Sequence, residues 1–415
     1  MRDGNQAPAR CTGVRAGKCG QQTGGAHPRS FALHLSSFTL HPLSFILICA
    51  SAAAADHVTL RRDGKTLEVE GRVILTAQDG GILLLARDGV LWNVVPEEQV
   101  RTSRDATAFR PFSPEEMAKS VQAELPRRFD VYQTTHYVIV YDTSRAYAQW
   151  CGALFERLYG AFRNSWSHRG FEPGEPEFPL VAVVFADKRS YAKFSKNELG
   201  DAAESIVGYF NLATNRMIMY DLTGTAGGHP GGARASRAGT AAAVNQILAA
   251  PEATQTVSTI VHEATHQIAF NCGLHARYSD CPLWFSEGIA MYFETPDLHS
   301  AKGWAGVGAV NRTRLDQLRK YLPARGPDSL RTLLVADGRF RDTRQAADAY
   351  AEAWGLVYFL LHQHPKECIA YLKLLAAKQP LFQDGPERRL EEFEKFFGPW
   401  KRLDGEFLRF ITRVR

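Results

Sequence analysis

The sequence predicts an α+β protein: a small antiparallel β module, then a mixed α/β layer, then a long α-helical lobe. Three observations carry this. Between residues 57 and 103, short apolar runs are separated by Asp63-Gly64, Asp79-Gly80-Gly81 and Asp88-Gly89, the punctuation of tight hairpins. Over residues 106–240, strand-like and helix-like runs alternate, as in a sheet with helices packed on it. From Asn311 onward the apolar residues recur only at helical spacing.

A chain of 415 residues is long enough for two or three domains. Residues 1–55 stand apart from the rest. The first 30 are rich in Gly, Arg, Gln and Pro, and a short apolar run from Phe38 to Cys49 leads into Ala50-Ser51-Ala52-Ala53-Ala54-Ala55. That is the pattern of a secretory signal with cleavage after Ala55 and a mature chain beginning at Asp56. Its position well inside the chain suggests a start codon set too early. The competing interpretation is a disordered tail with a stray apolar run. The sequence thus predicts an exported protein, periplasmic or extracellular, with no transmembrane segment in the mature chain. Residues 1–55 hold five Lys/Arg and one acid, so without them the formal charge falls from +5 to +1. The remaining chain offers no electrostatic case for nucleic acid.

The elements follow in order. Residues 56–105 read as a barrel-like β module with runs at Val58–Leu60, Leu67–Val69, Val73–Leu75, Ile82–Leu85 and Val90–Val95. Ser113-Pro114-Glu115-Glu116 starts a helix with a capping box. Phe129–Gln133 and His136–Tyr141 read as paired strands, Ser144–Trp166 as a long helix, Leu180–Phe185 as a buried strand and Lys188–Leu199 as a helix. Val207–Phe210 and Met217–Tyr220 form a hairpin pattern, and residues 222–240, including His229, a Gly-rich loop. Residues 241–300 hold two short helices, Ala253–Asn271 and Trp284–Phe293. Residues 301–415 carry six more, at Asn311–Tyr321, Ser329–Val335, Ala346–His362, Lys366–Ala376, Glu387–Phe397 and Glu406–Arg413.

The chemistry concentrates in Val261–Glu294. His262-Glu263-Ala264-Thr265-His266 is an H-E-x-x-H motif, which on a helix sets two imidazoles one turn apart on one face. Val257, Val261, Ala264 and Ile268 form an apolar stripe beside them. After 20 intervening residues comes Glu287, in a second helix pattern. Two His and one Glu form a ligand set for one catalytic Zn2+ with a position left open. Gly288 permits a close backbone approach at that helix.

Val261-His262-Glu263-Ala264-Thr265-His266 with Leu283-Trp284-Phe285-Ser286-Glu287-Gly288-Ile289-Ala290-Met291-Tyr292-Phe293-Glu294 resembles the gluzincin metallopeptidases. Their signature is H-E-x-x-H followed by a Glu ligand in a Trp-x-x-Glu-Gly-x-Ala context. The match covers about 34 residues. The export signal, β module and late Tyr-containing helix are similar to an exported bacterial branch of undefined function. The resemblance implies a zincin-like fold, zinc on His262, His266 and Glu287, and Glu263 as general base for hydrolysis of a peptide or protein substrate. Glu294, on the same face as Glu287, would orient a ligand imidazole. A Tyr from the helical lobe commonly serves the oxyanion, which favours Tyr350 over Tyr292. A packed helix tyrosine is the alternative. No Gly-x-Met-Glu-Asn segment is present, which argues against aminopeptidase activity. The third His of metzincins is also missing, with Cys272 at its position.

Three further expectations complete the sequence reading. The strand Arg216–Tyr220 could take an extended peptide by edge addition. Cys272 and Cys281 bracket the loop between the motif halves and either pair in an oxidising compartment or stay free. Two rival functions stand beside a peptidase: a non-catalytic scaffold that binds through the β module, and a zinc hydrolase of a non-peptide amide or ester.

Overall fold

The computed structural model describes residues 54–224, 239–299, 304 and 306–415. The leader up to Ala53 and most of the Gly-rich loop, with His229, lie outside the described residues. The chain is α+β, with an N-terminal antiparallel β module followed by a mixed layer and a helical region.

The module is a five-stranded antiparallel sheet of β1 (Ala54–Arg62), β2 (Lys65–Thr76), β3 (Ile82–Ala86), β4 (Leu91–Val94) and β5 (Gln99–Ala108), in the order β4-β3-β2-β1-β5. Asp63 and Gly64 take φ of 52° and 73°, the two-residue reversal that Asp-Gly favours. β5 escapes the sequence reading because Val100 through Thr107 are exposed, so no apolar alternation marks it.

β3 shows that the module is not separate. All five of its residues are buried. Ile82 and Leu84 join Val58, Leu60 and Val94 in the module's own small core. Leu83 and Leu85 point the other way, into the main core of the chain. A strand covered on both faces reads as a continuous apolar run, as this one does.

The second sheet lies behind α1 (Pro114–Glu124), whose Ser113–Glu116 capping box forms as the sequence expects. It comprises β6 (Asp130–Gln133), β7 (Tyr137–Tyr141), β8 (Leu180–Phe185), β9 (Gly208–Asn211) and β10 (Arg216–Tyr220), in the order β6-β7-β8-β10-β9. β7, β8 and β10 run parallel, and β6 and β9 are antiparallel edges. The crossover helices are α2 (Arg145–Ser167) and α3 (Lys188–Leu199). This corrects the edge-addition expectation for Arg216–Tyr220: β10 is paired on both sides and has no free edge. The outer strand is β9, and all four of its residues are buried.

The helical part begins with α4 (Ala241–Leu248), α5 (Thr254–Asn271) and α6 (Leu283–Phe293). The lobe adds α7 (Arg312–Tyr321), α8 (Ser329–Val335), the short α9 (Gly338–Arg341), α10 (Ala346–Gln363), α11 (Pro365–Ala376), α12 (Pro386–Phe397) and α13 (Trp400–Ile411). α13 starts at Trp400 rather than Glu406. Trp400, Leu403, Phe407 and Ile411 make its buried stripe, which the intervening Lys401-Arg402 and Asp404-Gly405 obscure in the sequence. Among the described residues no helix is long and apolar enough to cross a membrane.

Candidate metal centre

α5 carries the H-E-x-x-H motif and is fixed to the sheet just past it. Gln267 Nε2 donates to the carbonyls of Val181 on β8 (2.9 Å) and of Asn215 in the β9–β10 turn (3.1 Å). Asn271 pairs its side chain with that of Asn215 at 2.7–2.8 Å. α6 approaches from the other side, backed by α10.

Between these helices His262, His266 and Glu287 meet, the one cluster among the described residues whose donor atoms could hold a metal ion. His262 Nε2 lies 3.0 Å from Glu287 Oε2, His266 Nε2 lies 3.1 Å from His262 Nε2, and His266 Nε2 lies 3.5 Å from Glu287 Oε1. All three residues are buried, Glu287 completely. Burial opposes ionisation of Glu287, but the two imidazoles beside it hold its carboxyl well below the usual range. Burial likewise opposes a charged His262, yet Glu287 and Glu294 push it up to about 10. Glu287 Oε1 and His262 Nδ1 lack a hydrogen-bond partner among the described residues. Two imidazole nitrogens and a carboxylate facing one another, with a buried acceptor left over, is a donor set that could hold a cation.

The spacing fits zinc. Ligands about 2.0–2.1 Å from a tetrahedral ion stand about 3.3 Å apart. His262 and His266 present nitrogens 3.1 Å apart, close to that edge, and Glu287 turns one oxygen to each of them, at 3.0 and 3.5 Å.

Glu263 lies beside this trio, and its Oε2 accepts from the backbone N–H of Phe210 on β9 at 3.0 Å. It is buried, and burial raises its proton affinity, which the nearby imidazoles of His262 and His266 moderate. Glu294 closes α6 with Oε2 3.8 Å from His262 Nδ1, beside the imidazole but beyond direct hydrogen-bond reach. Burial is offset there by Arg314 and His262, which keep its carboxyl below the ordinary range. Arg314 on α7 grips both Glu294 oxygens, at 3.1 and 3.2 Å.

Tyr350 is buried on α10, edge-on to Phe340, with the Arg314 guanidinium over its ring at 5.7 Å. It therefore connects to the ligands through Arg314 and Glu294. Tyr292, the other tyrosine considered for the oxyanion, has its hydroxyl bound by Arg169 Nη2 at 2.8 Å and its ring near Tyr358 and His362.

The loop between α5 and α6 distinguishes the two alternatives left open for its cysteines. Cys272 and Cys281 are free thiols rather than a disulfide. Cys281 Sγ faces His275 Nδ1 at 3.5 Å, whereas the electrostatic neighbours of Cys272 are Arg163, Glu175 and Tyr159. The loop is held instead by Arg277, whose Nη1 donates to the carbonyls of Gly89 in the β module (2.8 Å) and of Leu212 after β9 (3.1 Å). Sequence reading missed Arg277 and Arg314. Each is one arginine among many, and only tertiary packing gives it a partner.

A family model described as a protein of unknown function (DUF1570) matches residues 256–382, a span running from α5 into the loop after α11. No curated protein matches the chain.

Proposed function

We propose that the chain is an exported zinc-dependent peptidase of the gluzincin kind, acting on a peptide or protein substrate. The observation that carries this is the buried His262–His266–Glu287 trio, its donor atoms gathered within 4.8 Å of one another, with Glu263 adjoining it. His262 and His266 from α5 and Glu287 from α6 would hold the ion. A zinc ion held there supplies Lewis acidity and makes water a usable nucleophile near neutral pH.

Glu263 takes the proton of the attacking water and returns it to the leaving amine. Its burial and its Phe210 N–H contact keep the carboxylate aimed and ready for that exchange. Glu294, clamped by Arg314, sits at the outer nitrogen of His262 and biases that ring toward presenting Nε2 inward. Tyr350 is the proposed donor to the developing oxyanion.

The test is hydrolysis of an unfolded protein with metal content measured alongside. Chelation is expected to abolish turnover and added zinc to restore it. Glu263→Gln should keep the metal and lose at least about a hundredfold in kcat. Undiminished turnover by that variant refutes the mechanism. An unchanged kcat in Tyr350→Phe would assign that residue to packing.

A further inference from the structure

α6 carries Glu287, yet its N-terminus has no cap of its own. Pro282 occupies the capping position and supplies no side-chain hydrogen bond. The N–H of Leu283 is met instead from outside the helix, by Asp337 Oδ1 at 3.1 Å, in the turn between α8 and α9. Leu283 lies one helical turn before Glu287, so this contact fixes the turn beneath the ligand. A carboxylate there also complements the positive end of the helix.

Asp337 is itself held by Arg389 of α12, with Nη1 3.1 Å from Oδ1 and Nη2 3.2 Å from Oδ2. The same guanidinium reaches Asp280, two residues before Pro282, with Nη2 2.5 Å from Oδ1 and Nε 3.2 Å from Oδ2. Lys378 adds a contact to Asp280 Oδ2 at 3.3 Å. Asp280 is almost fully buried. One arginine thus fastens both the end of the metal-site loop and the external cap of the ligand helix.

We infer that Asp337 is a positioning residue for Glu287. With Arg389 and Asp280, it sets the direction of α6 so that the carboxylate meets the α5 imidazoles at ligand spacing. This rests on the metal-centre reading above. The lobe also contains a control: Asp404 on α13 pairs with Arg325 (Nη1 to Oδ2, 3.1 Å), an ion pair separate from the Arg389 fork to Asp280 and Asp337.

The experiment titrates Co2+ into the metal-free mature chain, reading affinity and visible ligand-field absorption, with thermal melting of the apo protein in parallel. Wild type is expected to bind one ion per chain. Asp337→Ala should weaken binding on the order of tenfold, as outer partners of metal ligands do, and alter the absorption band. Asp337→Asn keeps an acceptor for the Leu283 N–H and should recover most of the affinity. Asp404→Asn should lower the melting temperature and leave cobalt affinity unchanged. If Asp337→Ala does not fold, Arg389→Lys carries the same test, since a lysine cannot fork between Asp280 and Asp337. Wild-type affinity and spectrum in Asp337→Ala (or in Arg389→Lys), or an equal loss in Asp404→Asn, overturns the inference alone. A wild-type chain that binds no cobalt overturns the metal reading and this inference with it.

Discussion

Replacing Gly288 with alanine puts one methyl group where α6 and α10 already touch. A Cβ at that position lies 2.4 Å from Val357 Cγ2, 2.8 Å from the Ala353 carbonyl oxygen and 3.1 Å from Val357 Cβ. Carbon contacts are comfortable at about 3.5–4.0 Å, so the helices must part by about 1 Å or Val357 must turn. Val357 is β-branched on a helix and holds essentially one rotamer, and the Ala353 oxygen is backbone. Overpacking of this kind costs about 1–3 kcal/mol. Alanine returns up to about 1 kcal/mol through helix propensity, leaving a net loss of up to about 2 kcal/mol. Because Glu287 is the preceding residue, the same displacement shifts the ligand relative to the α5 imidazoles. The assay is thermal melting of the metal-free chain beside zinc affinity, with Gly288→Ala, Val357→Ala and the double variant. The double variant should recover only part of what Gly288→Ala loses, because the 2.8 Å contact with Ala353 remains. A single variant that melts at or above the wild-type temperature, as propensity alone dictates, refutes the close-packing argument.

Two further predictions concern the loop between the metal-site helices. Burial, with the charge of His266 nearby, pushes His275 down to about 3. Below about pH 6.5 the unfolded chain gains a proton that the folded chain refuses, so stability falls as pH drops from there toward 3, by at most about 1.4 kcal/mol per unit. His275→Phe, seated beside Phe270 and Phe285, should flatten that acid limb; an identical acid slope in chemical denaturation contradicts this. Arg277→Ala removes charged donors from the carbonyls of Gly89 and Leu212 and is expected to cost about 2–4 kcal/mol. Limited proteolysis should then cut the β module first, and an unchanged digestion pattern counts against the clamp.

The elements legible in the sequence are those whose periodicity is unbroken. β8 is an uninterrupted apolar run because it is buried on both faces, and α5 shows its stripe because one side packs on the sheet. Gly288 could be read as a close approach because a glycine inside a helix needs a packing reason. β5 and the first turn of α13 were hidden by charged residues on exposed positions. The metal trio was readable because H-E-x-x-H fixes two donors by local helical geometry alone. The residues that aim those donors were not. Asp337 and Arg389 lie 50 and 102 residues beyond Glu287, and nothing local distinguishes them from surface charges. The pairing state of Cys272 and Cys281 was likewise undecided, because loop length permits a bridge and only the fold gives the two thiols different neighbours.

The two-faced burial of β3 also has a consequence in time. The module is translated first, and Ile82 and Leu84 can close its own small core as soon as β4 appears. Leu83 and Leu85 cannot be fully covered then, because most of the main core they join, from the second sheet through the helical lobe, is encoded far downstream. At ordinary elongation rates that interval is roughly ten seconds or more. For its duration the nascent chain presents a folded-looking sheet with one greasy face. The N-terminal unit is therefore a half-built interface awaiting the rest of the polypeptide, and a shortened chain without the main core keeps that face open.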